Sequence, residues 1–160
     1  LDNGKNTGKH ACLSADHRRT AGRYDRQDLQ LLQKNGNLER CEDYMETREI
    51  ALLAVNALED KKAEDIRIID ISNISTIADY FIIADGSNKS QIQAMTDNVS
   101  EALGRAGVTV RQIEGYQNAN WILMDFQDII IHIFDRENRL FYDLERIWRD
   151  GVLIEKEALQ

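Results

Sequence analysis

The feature that most constrains the fold is a pair of apolar segments separated by only two residues. Residues 121–126 read WILMDF and residues 129–134 read IIIHIF, with Gln127 and Asp128 between them. Two strands joined by so short a loop pair as an antiparallel hairpin. Because residues 129–134 are apolar at almost every position, we expect this strand to be buried.

Helix and strand patterns precede this hairpin. Apolar residues recur at helical spacing over residues 47–62, and two short apolar segments, 66–71 and 80–84, are typical of strands. The second segment reads YFIIA and is apolar at nearly every position, which suits a central strand covered on both sides.

A second helix and a third strand separate these segments from the hairpin. The helix is predicted to begin at Ser90, which is spaced to form a capping box with Gln93, and to end at Gly107. A strand is predicted over 108–113, and a last helix over 140–148. This order predicts an α/β protein, a layered sandwich with a mixed sheet of about five strands and flanking helices.

The chain divides into three predicted segments. Residues 1–44 hold scattered glycines and charges with little apolar periodicity, so a poorly structured N-terminal extension is expected. Met45 stands directly before the first helix pattern, which favours it as the natural start and residues 1–44 as an upstream addition. Residues 45–152 are the expected domain, and residues 153–160 a C-terminal tail.

The acidity of the chain belongs to the predicted domain. The net charge is −8, from 20 basic and 28 acidic residues, and residues 1–44 hold 8 of the basic and 7 of the acidic ones. The remainder therefore holds 12 basic and 21 acidic residues, a net charge of −9. Such a surface disfavours binding to nucleic-acid phosphates and suits a basic protein partner, although it also serves solubility alone.

Composition also bears on the setting in which the chain works. No apolar segment approaches the roughly 20 residues of a membrane-spanning helix, so no membrane contact is predicted. Cys12 and Cys41 form neither a disulfide framework nor a metal-binding pattern. These features favour a reducing, cytoplasmic setting.

The turn at Gly86 and Ser87 is the first candidate for ligand chemistry, because backbone N–H groups between a strand and a helix can hold a phosphate. Nucleotidyltransferases use a similar Gly-Ser turn with two acidic metal ligands on the following strand. Here that span is a helix pattern with one carboxylate, Asp97. A plain strand-to-helix turn is therefore the preferred interpretation.

The hairpin holds the remaining candidates for catalysis. Asp125 and Asp128 could pair for acid–base or metal chemistry, but both flank the turn, where Asp forms local hydrogen bonds. His132 has no cysteine beyond residue 41 and no G-x-S-x-G motif to work with. It is either a core histidine or a partner contact. No metal site and no cofactor are predicted.

Two aromatic positions have both a structural and a binding interpretation. Trp121 begins a strand after a polar loop, so it belongs either to the core or to an interface. Tyr142, Asp143 and Glu145 form either a solvated helix face or an acidic-aromatic patch for a basic partner.

Four segments carry a more specific pattern: STIADYFIIADGS, IEG followed by ANW, DFQDIIIHIF, and RLFYDLERIW. In this order and at this spacing they resemble the ribosomal silencing factor family, also called RsfS, Iojap or YbeB. The resemblance covers about Met45 to Gly151. The four linked motifs are specific together, although none of them would be alone.

The resemblance implies a nucleotidyltransferase-like topology without the catalytic acids, and no enzymatic activity. It implies binding to the fourteenth protein of the large ribosomal subunit, which blocks association with the small subunit and represses translation under nutrient limitation. It further implies a homodimer in the free state and no sequence-specific contact with nucleic acid. A role in large-subunit biogenesis and a divergent nucleotidyltransferase remain the alternatives.

The family signature also assigns partner-binding positions by residue. They are Asp79, Tyr80, Glu114, Trp121, Asp128, His132, Tyr142 and Asp143. Trp121 and the acidic residues near it are the expected centre of the ribosome-facing surface. Two positions depart from the family pattern. The family often has Gly where this chain has Gln127, and Arg where this chain has Lys89 and Ser90.

Overall fold

The computed structural model describes residues 45–160, so the predicted extension over residues 1–44 lies outside the described part of the chain. The helices are α1 (Thr47–Asp60), α2 (Lys89–Arg105), α3 (Arg136–Tyr142) and α4 (Leu144–Ile147). The strands are β1 (Glu64–Asp70), β2 (Tyr80–Gly86), β3 (Gln112–Glu114), β4 (Trp121–Asp125), β5 (Ile129–Asp135) and β6 (Val152–Ile154), followed by a 3-10 helix, Lys156–Leu159. Within residues 45–160, none of the helices is long and apolar enough to cross a membrane.

The six strands form one sheet in the order β3-β4-β5-β2-β1-β6. The two interior strands β2 and β5 are parallel, and all other neighbours are antiparallel. Every residue of β2 is buried, and so is every residue of β5 except the last. The predicted α/β class, the hairpin and the mixed sheet are confirmed, with six strands rather than about five.

One face of the sheet packs against α1 and α2. Large apolar side chains from both helices, such as Leu58, Ile92 and Met95, are fully buried between the helices and the sheet. The side-chain amide of Asn98 donates a 2.7 Å hydrogen bond to the carbonyl of Ala57 and joins the two helices. This first core is closed by two helices of 14 and 17 residues.

The second face of the sheet has a thinner cover. Within residues 45–160 this cover is the pair of short helices α3 and α4, of 7 and 4 residues. The buried apolar side chains of this second cluster are Ile69, Ile71, Ala78, Phe81, Ile83, Ile130, Phe134 and Leu144. Trp121, Leu123 and Trp148 pack against them and are only partly buried. Apolar surface at the β4 side of this face therefore remains open to solvent.

Two predicted boundaries were wrong. The side chain of Asn88 accepts a 2.9 Å hydrogen bond from the amide of Gln91, so α2 begins at Lys89 and the capping box predicted at Ser90 does not form. The third strand covers only Gln112–Glu114 rather than 108–113. Val108 packs against the first core outside the strand, which explains why its apolar side chain resembled part of a strand.

The C-terminal region also differs from its prediction. The single helix predicted over 140–148 is two helices, separated by Asp143 in the left-handed conformation with φ 43°. β6 pairs antiparallel with β1 and was not predicted. Residues 153–160, predicted as a tail, contain most of β6 and the 3-10 helix, and Leu159 is buried in the first core.

A buried arginine attaches α3 and α4 to the sheet. The guanidinium of Arg139 is 3.1 Å from a carboxylate oxygen of Asp85 on β2 and 3.1 Å from one of Asp65 on β1. It also donates a 2.8 Å hydrogen bond to Glu145 on α4. Burial raises the pKa of Asp85, and the charge of Arg139 opposes this shift. Arg139 therefore joins the thin cover to two strands of the sheet.

We expect Arg139→Met to lower the free energy of unfolding by about 3 kcal/mol, because it removes the buried cation that is hydrogen-bonded to Asp85 and leaves only the exposed Arg136, 3.8 Å from that carboxylate. The control is Arg105→Met on α2, since Arg105 pairs with Glu101 on an exposed helix surface. Losing that pair should cost about 0.5 kcal/mol or less. Urea unfolding followed by circular dichroism measures both, and equal losses would contradict the role of Arg139.

Candidate partner-binding face

Four rings on the second face of the sheet form what we call the aromatic cluster: Trp121, His132, Phe134 and Tyr142. The indole of Trp121 stacks on Phe134, with ring centroids 5.1 Å apart, and lies 4.7 Å from the ring of Tyr142. Its Nε1–H donates a 3.1 Å hydrogen bond to Nδ1 of His132. Tyr142 is 40% exposed. The aromatic cluster is therefore packed on the sheet side and accessible on the outer side.

The registers of β3, β4 and β5 bring these side chains to one face. Trp121 lies opposite Phe134, and Leu123 lies opposite His132. Paired residues of neighbouring strands point to the same side of a sheet. Glu114 on β3 pairs with Leu123, so its exposed carboxylate belongs to the same side.

We define the candidate face as the aromatic cluster with three neighbouring residues, Glu114, Leu123 and Asp143. Asp143 follows Tyr142 directly and is exposed between α3 and α4. Five of the eight predicted partner-binding residues thus fall in this region: Glu114, Trp121, His132, Tyr142 and Asp143. They combine exposed carboxylates with a partly exposed aromatic surface.

The loop between β3 and β4 fixes the position of Trp121 at the start of β4. Gly115 has φ +78°, and a Cβ at this position would overlap the backbone carbonyl of Trp121. The hydroxyl of Tyr116 donates a 2.9 Å hydrogen bond to Asp97 on α2. The side-chain amide of Gln93 donates another, also 2.9 Å, to the carbonyl of Tyr116. The loop is therefore tied to α2 and leaves no space for a side chain at Gly115.

His132 is a buried member of the aromatic cluster. It is 5% exposed, and its burial lowers the pKa of the imidazole to about 4. It is therefore neutral near pH 7, and because Nδ1 accepts a hydrogen bond, the proton resides on Nε2. Within residues 45–160, Nε2 has no hydrogen-bond partner. His132 therefore accepts one hydrogen bond, from Trp121, while its other ring nitrogen is unpaired within the described residues.

Three predicted partner-binding residues lie elsewhere. Asp79 and Asp128 precede the parallel strands β2 and β5, at the opposite end of the sheet from Trp121. The amide of Asp79 donates a 2.8 Å hydrogen bond to the carbonyl of Asp128. Burial, followed by the charges of Asp128 and Asp70, raises the pKa of Asp79. Tyr80 is buried in the first core. These residues are separate from the candidate face.

The Gly86-Ser87 turn is occupied by the protein's own side chains. The amide of Ser87 donates a 2.7 Å hydrogen bond to the side-chain oxygen of Gln91. The nitrogen of the same Gln91 side chain donates to the carbonyls of Lys61 and Lys62. The carboxylate of Glu64 lies 3.4 Å from the Ser87 hydroxyl. A phosphate would have to displace Gln91 and approach a carboxylate.

The carboxylates of Asp125 and Asp128 in the hairpin were the second candidate for catalysis. Asp125 accepts a 2.7 Å hydrogen bond from the amide of Gln127, a local turn contact. Gln127 has φ 78°, so it adopts the left-handed conformation that glycine favours at the position where the family often has Gly. Within residues 45–160, no group of three or more His, Cys, Asp or Glu side chains is placed to hold a metal ion.

Phe134 and Leu123 belong to this face and were not singled out from the sequence. Both follow from period-two alternation once Trp121 and His132 are placed on the same face of the hairpin. Phe141, which contacts Tyr142 edge-to-face at 5.1 Å and is 78% exposed, was also missed as a surface residue. Its exposure could not be predicted from the sequence, because the pattern indicated a single helix over residues 140–148.

We expect Gly115→Ala to lower the free energy of unfolding by about 2 kcal/mol, because the new Cβ is disfavoured at this φ and overlaps the carbonyl of Trp121. Gly104→Ala is the matched control, since Gly104 lies in α2 with open space around it. It should raise stability by about 1 kcal/mol, because alanine is the better helix former. Urea unfolding measures both variants. A change in the free energy of unfolding with the same sign in both would contradict the requirement for glycine at position 115.

The burial of His132 predicts a pH-dependent stability. The pKa is about 4 in the folded protein and has its ordinary value of 6.5 in the unfolded chain. Between these pH values the unfolded state binds more protons, so the free energy of unfolding falls as the pH falls, by up to about 3 kcal/mol at pH 4. His132→Asn lacks this contribution of the imidazole to the pH dependence. Asp79 and Asp85 are present in both proteins, so their titration cancels in the comparison.

Urea unfolding of both proteins between pH 7 and pH 4 checks this expectation. The difference in stability between the wild type and His132→Asn should change steadily over the interval. A difference that stays constant would show that the imidazole is not held neutral by burial.

The comparisons with known proteins agree on one family. A profile of the family described as "Ribosomal silencing factor during starvation" matches residues 44–160. The chain is 36% identical to the ribosomal silencing factor RsfS of Halalkalibacterium halodurans over 115 residues, which are 72% of this chain and 98% of that protein. It is 28% identical to the mouse mitochondrial assembly of ribosomal large subunit protein 1, over 60% of this chain and 43% of that one.

A solved structure supports the same assignment. The crystal structure of a protein from Chromobacterium violaceum superimposes with a TM-score of 0.64 at 36% sequence identity, covering 65% of this chain and 87% of that one. The family profile spans all residues that the structure describes. The chain belongs to the ribosomal silencing factor family.

Proposed function

We propose that this protein represses translation by binding the large ribosomal subunit through its fourteenth protein. The bound domain then occupies the site where the small subunit would dock, and the two subunits cannot join. The mechanism is steric: the candidate face holds a basic protein surface, and the remainder of the domain fills the space between the subunits. We place this activity in the cytoplasm, and we expect it to be used under nutrient limitation.

The observation that carries this proposal is the incompletely covered second face of the sheet. Partly exposed aromatic rings lie there beside the exposed carboxylates of Glu114 and Asp143. Aromatic anchors with a charged rim are the usual composition of binding surfaces. Residues 45–160 carry a net charge of −9, which suits a partner rich in lysine and arginine.

We propose different roles for Trp121 and Tyr142. Trp121 is half-buried between Phe134, His132 and Tyr142, so much of its surface is already used within the domain. Tyr142 presents more of its ring to solvent. We therefore assign Trp121 to the framework of the docking surface, and Tyr142 with the neighbouring carboxylates to direct contact.

A homodimer in the free state is part of the same proposal. Leu140, Phe141 and Ile147 on α3 and α4 are 83%, 78% and 67% exposed. Large apolar side chains exposed to this extent favour a surface that another protein covers. A second copy of the chain would cover them when no ribosomal subunit is bound.

We also propose that the protein acts without catalysis. This proposal is supported by the Gly86-Ser87 turn, where the side chain of Gln91 occupies the amide of Ser87 and Glu64 lies nearby. It is further supported by Asp97, which accepts a hydrogen bond from Tyr116 on the α2 side of the domain. Neither arrangement favours binding of a nucleotide and its metal ion.

A contribution to large-subunit assembly is compatible with the same contact. The mouse relative is named for the assembly of the mitochondrial large subunit. A factor that covers the joining surface of an immature subunit would prevent premature association by the same steric mechanism as silencing. The two roles differ in the maturity of the subunit bound, and the docking surface would be common to both.

Charge reversal on the candidate face tests the docking mode. We expect Glu114→Lys to weaken binding to purified large subunits about tenfold, because it places a cation against a basic partner. The control is Glu101→Lys, which makes the same charge change on the exposed surface of α2. It should change the affinity less than about twofold. Co-sedimentation of labelled protein with large subunits, at low and high salt, measures both.

The two variants distinguish a specific effect of the candidate face from a general effect of net charge. Equal losses in the two variants would contradict the assignment of the face. The wild type should also reduce the formation of joined ribosomes when it is added to separated subunits before a sucrose gradient. Unchanged joining at saturating protein would refute the blocking mechanism.

A further inference from the structure

We propose that His132 is a positioning residue of the candidate face, holding the indole of Trp121 in the single orientation on which the exposed aromatic surface is built. The inference rests on the proposed function in one respect, namely that this face is the one that binds the partner. The positioning itself is a property of the isolated domain.

The hydrogen-bond pattern of His132 points to this role. Nδ1 accepts the indole N–H of Trp121 at 3.1 Å, while Nε2 is buried and has no partner within residues 45–160. An apolar residue of similar volume would fill the space and avoid the unpaired Nε2, but it would leave the indole N–H of Trp121 without this acceptor. The imidazole therefore contributes a hydrogen-bond acceptor for Trp121 that an apolar side chain of the same volume would lack.

Ring contacts alone would not set the orientation of the indole. Trp121 stacks on Phe134 with the planes 24° apart, and a stacked pair tolerates sliding and rotation within the plane. A hydrogen bond to Nε1 has a defined direction, so it removes this freedom. His132 is itself held between Phe81, which contacts it edge-on at 5.2 Å, and Phe134.

The orientation of Trp121 determines how the exposed side chains above it pack. Tyr142 packs on the indole with centroids 4.7 Å apart, and Phe141 contacts Tyr142 edge-to-face. The first exposed layer of the candidate face thus rests on Trp121. A preorganised surface binds more tightly, because its side chains lose less conformational freedom when the partner arrives.

Three variants separate the acceptor from the volume of His132. His132→Leu keeps an apolar side chain and removes the acceptor, and it should weaken large-subunit binding about fivefold to tenfold. His132→Asn keeps an acceptor atom near the position of Nδ1, and it should recover most of that loss. Trp121→Phe removes the donor instead, together with part of the ring system on which Tyr142 packs, and it should weaken binding at least as much as His132→Leu.

Nuclear magnetic resonance of the ¹⁵N-labelled protein gives a readout that does not depend on the ribosome. The wild type should show a coupling between the indole and imidazole nitrogens across the hydrogen bond. The indole N–H of Trp121 should be rigid in the wild type and in His132→Asn, and mobile in His132→Leu. Trp148, the second tryptophan of the chain, serves as an internal reference in every sample.

The outcomes distinguish this inference from the proposed function. Absence of the coupling in the wild type, or a Trp121 indole that stays equally rigid in His132→Leu, overturns the positioning role whatever the binding result. If the wild type binds large subunits, an equal affinity of folded His132→Leu overturns it as well. A wild type that shows the coupling and the ordered indole but binds no large subunits supports the positioning of Trp121 and refutes the proposed function. Trp121→Phe provides the binding comparison if His132→Leu does not fold.

Discussion

The parallel pairing of β2 with β5 is the constraint on which the rest of the structure depends. The two strands pair over seven residues, from Tyr80 with Ile129 to Gly86 with Asp135, and both are almost entirely buried. Parallel neighbours need a crossover connection, and α2, with the strands β3 and β4, lies in this connection. A sheet with such an apolar centre has to be covered on both faces, so helices are required on each side of this pair.

The two faces of the sheet are covered to different extents. Two helices of 14 and 17 residues close the first face, whereas helices of 7 and 4 residues cover the second. The short pair is held by the buried guanidinium of Arg139 and leaves the β4 side partly uncovered. Aromatic side chains occupy this uncovered side, because they can pack on the sheet with one surface and remain accessible with another. The incomplete cover is thus what leaves the proposed docking surface accessible.

Much of the fold could be predicted from the sequence, and the failures have physical causes. The hairpin and β2 were predicted because strongly apolar segments around a short turn allow few alternatives. β6 was missed because three residues, two of them exposed, show no alternation. The capping box at Ser90 was wrong because Asn88, two residues earlier, offers the amide of Gln91 an acceptor at 2.9 Å. Asp143 broke the last helix although no proline or glycine marks the position.

For the candidate site, the sequence by itself determined which residue types were available and which family they resemble. It could not decide which of the eight residues belong together, because strand order and register are set by contacts between distant segments. The tertiary structure placed Glu114, Trp121, His132, Tyr142 and Asp143 on one side, and Asp79 and Asp128 at the other end of the sheet. It also placed the imidazole of His132 in a buried position. Burial keeps the imidazole neutral, and a neutral ring can accept the hydrogen bond of Trp121, which neither residue reveals alone.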